Sequence, residues 1–542
     1  SLSLSLSLSV TLSVGVRSLI LGMEMEIVYQ SIAVSSLFLL LIWAWKVLNW
    51  VWLTPKRQEK CLRQQGFKGN SYRLLFGDLK ETSMLIQEAK SKPLNLSHDI
   101  VPRVMPDIHK TIQKYGKNSF VWAGNMPKVL ITEPELIRDV LANHNVFQKN
   151  FKAHNPLADF LLTGIGSYEG EKWVKHRKII SPSFHLDKLK SMLPAFYENY
   201  DDLLSKWEKV CSTNGSIEVD AFPTFDTLTS DVISRVAFGS CYQEGGRIFV
   251  LLKELMELTI LIMRSVYIPG WSLLPTKTNN RMKAIDREIR ERLTGIINRR
   301  VKVMQTGESS EDDLLGTLLD SNNKEIERHG NKKSMGMSLE DVIRECKLFY
   351  FAGQETTGIL LTWTMILLSM HPKWQERCRQ EVLQEFGKGK PDFDRVNNLK
   401  VVTMILFEVL RLYPPVVDLT KIIHEDTKLG EFTLPGGVQV MLPLLMLHRD
   451  PEIWGADSME FNPERFAEGV SKATKGQVSF LAFSWGPRMC IGQNFALLQA
   501  KLALTMILQR FSVELSPTYA HAPFTILTLQ PQLGSHVVFR KL

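Results

Sequence analysis

The feature that most restricts how this chain can fold is an apolar run near its N-terminus. Residues 27–45 read IVYQSIAVSSLFLLLIWAW and contain no charged side chain, and the apolar character continues to residue 53. A run of this length crosses the ~30 Å of hydrocarbon in a bilayer. We therefore predict a single transmembrane helix over residues 27–53.

The residues that flank this run indicate its orientation. Glu24 and Glu26 precede it, so it lacks the basic n-region of a cleavable secretory peptide, and we expect a retained anchor. Tryptophans occupy its C-terminal end and basic residues follow, namely Trp43, Trp45, Trp50 and Trp52, then Lys56, Arg57, Lys60 and Arg63. By the positive-inside rule, residues 54–542 form a cytosolic domain.

The first residues, SLSLSLSLSV, alternate polar and apolar as a strand would. A CT-dinucleotide repeat read in frame encodes Ser-Leu repeats. We therefore expect residues 1–22 to be a translated leader without order, with the real start at Met23 or Met25. A genuine edge strand is the alternative, and it is less favoured because so repetitive a run has no fixed register. A native N-terminal peptide containing Ser1 would contradict the leader.

Composition and charge narrow the function classes. The 542 residues are 44% hydrophobic and 23% charged, enough for a large core in one or two domains. A net charge of +8 favours an acidic membrane surface or an acidic protein partner. Scattered basic residues without an aromatic-basic motif argue against nucleic acid. The six cysteines have no CxxC or zinc spacing, as in reduced, cytosol-facing proteins: Cys61, Cys211, Cys241, Cys346, Cys378 and Cys490.

The chain after the anchor has mainly helical patterns with short strand signals and no internal repeat. We predict a hairpin at 118–132, helices at 286–303 and 374–386, a terminal strand at 536–542, and polar loops at 304–313 and 321–338.

One predicted helix is long enough to cross a whole domain. Ser338 and Asp341 form a capping-box pattern at its start and Pro372 ends it, which gives a length of about 48 Å. Its centre carries Gly353 and a polar run at 354–357, although a mid-helix glycine costs ~1 kcal/mol against alanine. A satisfied polar kink in a core helix explains this as well as a functional site does. A second membrane span is the third possibility, and the charges of Lys347 and Glu355 argue against it.

The stretch FLAFSWGPRMCIGQ contains the most specific pattern in the chain. A cysteine thiolate on haem iron needs backbone amides near the sulfur, a tight loop, and a cation for a propionate. Around Cys490, Gly486 and Gly492 allow close backbone approach, Arg488 supplies the cation, and Phe483 covers the sulfur. A buried, inert thiol is the usual fate of a lone cysteine, but it leaves these spacings unexplained.

This run, Phe483-x-x-Gly486-x-Arg488-x-Cys490-x-Gly492, resembles the haem-thiolate loop of the cytochrome P-450 family. Other family motifs occur in the family's order along nearly all of the chain after the anchor, as WVKHR, AGQETT, EVLR and FNPERF. The resemblance implies a mostly α fold with small β-sheets, haem b as cofactor, and Cys490 as the axial ligand of the iron.

The resemblance also assigns roles to the other motifs. Glu408 and Arg411, with Arg465, become an ion-pair network that braces the cysteine loop, whereas a Glu and an Arg three apart are by themselves more often a solvated surface pair. Trp173 and Arg177 become contacts of a haem propionate.

In the long helix, AGQETT matches the family's oxygen-activation motif. By this resemblance Gly353 lets the helix open beside the haem, and Glu355 and Thr356 form an acid-alcohol pair that relays protons. Candidate substrate contacts by the same analogy are 151–170, 258–263, Val416, Ile526 and Leu527.

Longer strings such as CIGQNFALLQAK and SPTYAHAPFTILTLQPQ resemble the plant microsomal family 72 group, whose members oxidise terpenoids that include iridoids, triterpenes and gibberellins. Four positions depart from the expected pattern. Ala482 and Ser484 replace the usual proline and glycine of the loop, Lys421 replaces an arginine, and Asp418 adds a charge beside the substrate segment. Lysine keeps the charge but loses the bidentate fork.

The resemblance implies a monooxygenase in the endoplasmic reticulum membrane that oxidises a lipophilic terpenoid. NADPH would supply its electrons through NADPH-cytochrome P-450 reductase, with a cytochrome b-type protein as a possible second donor. Two other classes stay open: a haem-thiolate isomerase or dehydratase, against which Glu355 and Thr356 weigh, and a non-enzymatic haem-binding membrane protein or single-span receptor. NADPH consumption with reductase and substrate separates the three.

Overall fold

The computed structural model describes residues 2–149, 155–238, 242–306 and 313–542, with side chains from residue 23 onward except at 24, 238 and 242–244. Its helices are α1 Leu2–Leu48, α2 Thr54–Gln64, α3 Leu79–Lys90, α4 Val101–Val104, α5 Pro106–Tyr115, α6 Pro134–Ala142, α7 Gly170–Ile180, α8 Leu186–Asn214, α9 Ala221–Phe238, α10 Tyr242–Met263, α11 Lys277–Thr306, α12 Leu314–Arg328, α13 Leu339–Met370, α14 Pro372–Phe386, α15 Phe393–Asn398, α16 Lys400–Leu412, α17 Leu444–Leu447, α18 Pro451–Trp454, α19 Val470–Ala473 and α20 Gln493–Arg510. Its strands are β1 Phe120–Ala123, β2 Met126–Leu130, β3 Ser216–Asp220, β4 Leu419–Ile422, β5 Thr427–Leu429, β6 Phe432–Leu434, β7 Gln439–Leu442, β8 Phe511–Leu515, β9 Pro523–Thr525, β10 Leu529–Pro531 and β11 His536–Lys541.

The N-terminal helix has the form expected of a membrane anchor. The segment Met25–Gln64 is long and apolar enough to cross a bilayer, and no residue of its most apolar window is buried in the protein. Residues Trp50 and Val51 of this segment contact the globular part. Tyr72 donates a hydrogen bond to the Val51 carbonyl (2.7 Å), and Asn125 donates one to the Trp50 carbonyl (3.2 Å). The backbone of Leu2–Leu48 is helical throughout, so the alternative edge strand is not formed. The translated leader stays a prediction.

The strands form small sheets at the edges of the helical body. The predicted hairpin is present as β1 and β2, which lead a four-stranded sheet of order β1-β2-β7-β4. The predicted terminal strand is β11, which lies between β3 and β8 in a three-stranded sheet. The pairs β5–β6 and β9–β10 are separate antiparallel hairpins.

Helix α13 is the central element of the core, as its pattern predicts. Ser338 caps it and Asp341 completes the capping box, while His371, immediately before Pro372, is its C-cap. Most side chains from Val342 to Leu368 are buried in protein, which excludes a second membrane span here. Buried Lys347 pairs with Asp286 of α11 (2.6 Å), so the charge within the helix has a partner.

Both predicted polar loops are partly helical, so these two predictions are wrong in part. Residues 321–328, predicted as part of a polar loop, complete α12. Some of their polar side chains form hydrogen bonds and ion pairs within the protein. Asn322 is buried and accepts a hydrogen bond from the Met337 amide (2.6 Å), and buried Glu325 pairs with Lys178 (2.5 Å). Of the other predicted loop, 304–306 end α11 and 307–312 lie outside the described residues. The predicted helices 286–303 and 374–386 lie within α11 and α14.

Candidate active site

A cavity of about 390 Å³ lies between α13 and the loop that precedes α20. Of the thirteen residues predicted for haem binding, the proton relay and the ion-pair network, eight line it: Trp173, Arg177, Gly353, Thr356, Phe483, Arg488, Cys490 and Gly492. The other five are not among its lining residues: Glu355, Glu408, Arg411, Arg465 and Gly486. Segments separated by more than 300 positions therefore meet at one site.

The cysteine loop is a tight turn with two left-handed residues. The Cys490 amide donates to the Phe483 carbonyl (2.9 Å), which closes the loop. Gly486 has a φ of 74°, and a Cβ there would lie 3.2 Å from the Leu141 carbonyl oxygen, so the turn requires glycine. Ser484 has a φ of 63° at the position where the family usually has glycine. The turn thus persists without that glycine, at a cost of about 1 kcal/mol or more.

Cys490 faces the cavity and not the packed core. Its side chain is exposed to the cavity. By contrast, Cys61 is half-buried and Cys211, Cys346 and Cys378 are buried. Burial by the surrounding protein raises the pKa of the Cys490 thiol, and the Gly492 amide and the nearby cations oppose this shift. These same groups stabilise a thiolate, the form that binds a metal.

Two aromatic and basic motifs converge beside this cysteine. The Arg488 guanidinium lies 4.2 Å from the centre of the Trp173 ring, donates to the Tyr168 carbonyl (2.8 Å) and pairs with Glu169. Arg177 donates to the carbonyl of Met489, the residue before Cys490 (2.9 Å). WVKHR and the cysteine loop therefore form one wall of the cavity.

This wall carries more positive than negative charge. Besides Arg177 and Arg488 it includes Lys149, with buried Lys421 behind it, and Glu169 is the carboxylate that opposes them. Burial, followed by the charges of Lys149 and Arg488, lowers the pKa of Lys421 to about 7.

Among the described atoms, Arg488 Nε is buried without a hydrogen-bond partner. A ligand with two carboxylates would relieve both the excess charge and this unpaired donor. The residues present therefore fit haem: Arg177 and Arg488 would hold its carboxylates at this wall, and the Cys490 thiolate would bind its iron.

The Glu408–Arg411 pair is buried and forms part of a network. Arg411 binds Glu408 through two bonds of 2.7 Å, and both side chains are 0% exposed, which contradicts the surface-pair alternative. Arg411 also donates to the carbonyls of His448 and Ser458 (2.7 Å each). Arg465 lies 3.7 Å from Glu408 and bonds Asp457 more closely (2.8 Å).

His448 is a site residue that sequence reasoning missed. Its Nδ1 lies 3.2 Å from the Arg411 carbonyl, and its Nε2 accepts a hydrogen bond from the Leu481 amide (3.0 Å) at the start of the cysteine loop. Burial lowers its pKa to about 3, so the ring is neutral, with the proton on Nδ1. His448 thus joins the buried ion pair to the cysteine loop, and no local pattern in the sequence indicates this role.

Helix α13 passes the cavity without opening. Gly353 and Thr356 line the cavity, but the helix is continuous there, and the Thr356 hydroxyl donates to the Ala352 carbonyl (2.7 Å). A Cβ on Gly353 would lie 2.8 Å from the Ile233 side chain of α9, so close helix packing is a second reason for glycine. Glu355 points away from the cavity toward Thr528 and Gln530.

The predicted substrate contacts are divided between the cavity and other places. Ile165, Gly166 and Val416 line the cavity. Within 258–263, Ile262 and Met263 line a different cavity, near the end of the anchor. Ile526 and Leu527 pack on the core, and residues 151–154 lie outside the described residues. Asp418, the added charge near the predicted substrate segment, accepts a hydrogen bond from Thr420 (3.1 Å).

Comparison with known proteins identifies the family. The model of the cytochrome P450 family matches residues 97–537. This chain belongs to the cytochrome P450 family. The P450 is 65% identical to secologanin synthase 1 of Catharanthus roseus, over 96% of this chain and 99% of that protein.

Two further relatives support the finer group. The P450 is 57% identical to 7-deoxyloganic acid hydroxylase of Catharanthus roseus, over 96% and 100% of the two chains, and 58% identical to cytochrome P450 72A397 of Kalopanax septemlobus, over 92% and 96%. The predicted family 72 group, the mostly α fold and haem as the family's cofactor are thereby confirmed. The chain is a P450 monooxygenase.

Proposed function

We propose that this P450 oxidises an iridoid-type terpenoid. The observation that carries the proposal is the cavity between Cys490 and α13, whose walls away from the cations are apolar, with Ile165, Leu360 and Val416 among them. Such walls bind a lipophilic substrate and exclude water. Identity of 65% and 57% to proteins named for secologanin and 7-deoxyloganic acid favours iridoids over triterpenes and gibberellins.

The residues around the cavity would hold haem from two sides. The Cys490 thiolate would bind the iron, and Trp173, Arg177 and Arg488 would meet the propionates, with Lys421 in place of the usual arginine. Haem bound there would supply the redox-active iron at which dioxygen is reduced with electrons from NADPH.

Helix α13, which borders the cavity on the side away from the cysteine loop, would deliver protons. Thr356 has a hydroxyl in the cavity, and Glu355 is a buried acid on the neighbouring position of the helix. Burial raises the pKa of Glu355, which favours a protonated carboxyl that can donate. We assign Thr356 as the group that hands the proton into the cavity and Glu355 as its source.

The anchor and the charge of the chain support a membrane location. We place the enzyme in the endoplasmic reticulum membrane as a single-pass protein, with the catalytic domain in the cytosol. Its net positive charge would attract the acidic surface of NADPH-cytochrome P-450 reductase, and a cytochrome b-type protein is a second candidate donor.

The test is turnover by microsomes that contain the full-length chain and the reductase. With NADPH, we expect one of a panel of iridoids that includes 7-deoxyloganic acid to give an oxygenated product, at higher kcat/KM than the triterpenes and gibberellins of the same panel. Preference for a triterpene or gibberellin would overturn the iridoid assignment. Product formation without NADPH consumption would indicate an isomerase or dehydratase instead.

A further inference from the structure

The acid of the proposed proton relay is held by the C-terminal hairpin. Thr528 Oγ1 and Gln530 Nε2 both donate to the same carboxylate oxygen of Glu355. Glu355 is 7% exposed and Thr528 is 4% exposed, so the bond between them forms away from water, while Gln530 is half-buried. Both partners belong to β10 or directly precede it, more than 170 positions after Glu355.

Strand β10 is attached on both sides. Trp363 of α13 donates to the Leu529 carbonyl (2.9 Å), which fixes the strand to the helix that carries Glu355. The Leu529 amide donates to the Pro415 carbonyl (2.9 Å), and Pro415 lines the cavity. Strand β10 therefore joins the cavity wall at Pro415 to the two donors that bind Glu355.

The hairpin also controls the acidity of Glu355. Burial raises the pKa of this carboxyl, and the negative charge of Asp226 on α9 acts in the same direction. The hydrogen bonds from Thr528 and Gln530 lower it, with a smaller contribution from Lys253 on α10. The two hairpin donors are thus the main groups that stabilise the carboxylate.

We propose that Thr528 and Gln530 are positioning residues that hold Glu355 out of the cavity and control its delivery of a proton to Thr356. The proposal rests on the relay role assigned to Glu355 and Thr356 above. In the step, the Glu355 carboxyl turns from the hairpin to Thr356 and gives up its proton, while the Thr356 hydroxyl leaves the Ala352 carbonyl and passes its own proton to an acceptor in the cavity. The carboxylate then returns to the two donors, which stabilise it, and solvent restores its proton.

The direct test is the protonation midpoint of Glu355 in the full-length holoenzyme. Infrared difference spectra across pH give the carboxyl band, which is assigned to Glu355 by its loss in Glu355→Gln. Because the donors favour the charged form, Thr528→Val and Gln530→Leu should raise the midpoint by about one to two pH units each. Thr528→Ser, which keeps the hydroxyl, should restore it.

The matched control lies in the same hairpin. Thr525 on β9 has a buried hydroxyl without a hydrogen-bond partner among the described atoms, so Thr525→Val makes the same chemical change without touching Glu355. An unchanged midpoint in Thr528→Val, or an equal shift in Thr525→Val, would overturn the positioning role.

Turnover separates the positioning role from the relay itself. With reductase, NADPH and 7-deoxyloganic acid as the probe, Thr528→Val should raise the peroxide released per NADPH about tenfold, below the effect of Glu355→Gln. If Glu355→Gln releases no more peroxide than the unchanged enzyme, the relay on which this inference rests is wrong, whatever the infrared result. If Glu355→Gln uncouples turnover but Thr528→Val does not move the band, the positioning role alone is wrong.

Discussion

His448 and Cys490 show how single residues determine the geometry of the site. The neutral His448 ring donates from one nitrogen and accepts at the other, and so links the Arg411 carbonyl to the Leu481 amide near the start of the cysteine loop. A protonated ring could not accept the hydrogen bond from the Leu481 amide, because both of its nitrogens would carry hydrogen. The loop that carries Cys490 therefore depends on a histidine more than 40 positions earlier in the chain.

Replacing His448 with phenylalanine isolates these two hydrogen bonds. The ring stacks on Phe480 with centroids 5.6 Å apart, and phenylalanine keeps that contact while removing both nitrogens. The Leu481 amide and the Arg411 carbonyl then stay buried and unpaired, so His448→Phe should lower the free energy of unfolding by about 2–5 kcal/mol. Denaturation at neutral pH, followed by the haem spectrum, measures this change.

The pH dependence gives a second readout of the same variant. The unfolded chain binds a proton at the ordinary histidine pKa of 6.5, whereas folded His448 binds one only near 3. The contribution of His448 is thus fully present above pH 6.5 and is lost as the pH falls toward 3. His448→Phe should flatten the rise of stability across this window. An unchanged slope would show that His448 is not held neutral in the folded protein.

At the scale of elements, α13 was the most predictable part of the fold. Its capping box and the following proline are local signals, and both ends agree with the structure. The partners of its polar centre were not predictable, because Thr528 and Gln530 reach Glu355 only through tertiary packing. For the same reason, the spacing of Glu408 and Arg411 indicates a pair but not its burial.

Two glycines of α13, Gly353 and Gly358, determine how closely this helix packs on α9. Replacing each with alanine should change the stability of the protein by different amounts. A Cβ on Gly358 would lie 3.2 Å from the Asp226 backbone, whereas one on Gly353 would meet side-chain atoms of Ile233, 2.8 Å from Cδ1 and 3.2 Å from Cγ1. Alanine gains about 1 kcal/mol of helix propensity at either position.

Gly358→Ala should therefore be the more destabilising change, since overpacking against backbone costs about 1–3 kcal/mol and Ile233 can move aside. The temperature at which the haem spectrum is lost measures both variants, each serving as the control for the other. A larger loss for Gly353→Ala would mean that Ile233 cannot move and that the helix contact is tightest beside the cavity.

At the scale of the whole molecule, the fold brings motifs that are distant in the sequence together at one site. The motifs WVKHR, AGQETT and the cysteine loop are separated along the chain, yet the structure brings residues of all three to one cavity. Resemblance predicted this grouping. Residue spacing alone left open whether Cys490 was an inert thiol, and it contained no sign of His448 or of the hairpin donors.

The most direct test of the account is the spectrum of the reduced protein with carbon monoxide. We predict that Cys490→Ser, in the full-length chain, loses the long-wavelength Soret band that a thiolate-bound haem gives, because no other cysteine of the described chain lines the cavity. Cys61→Ser, at a half-buried cysteine that does not line the cavity, should keep the band and serves as the control. A retained band in Cys490→Ser would contradict the assignment of Cys490 as the iron ligand.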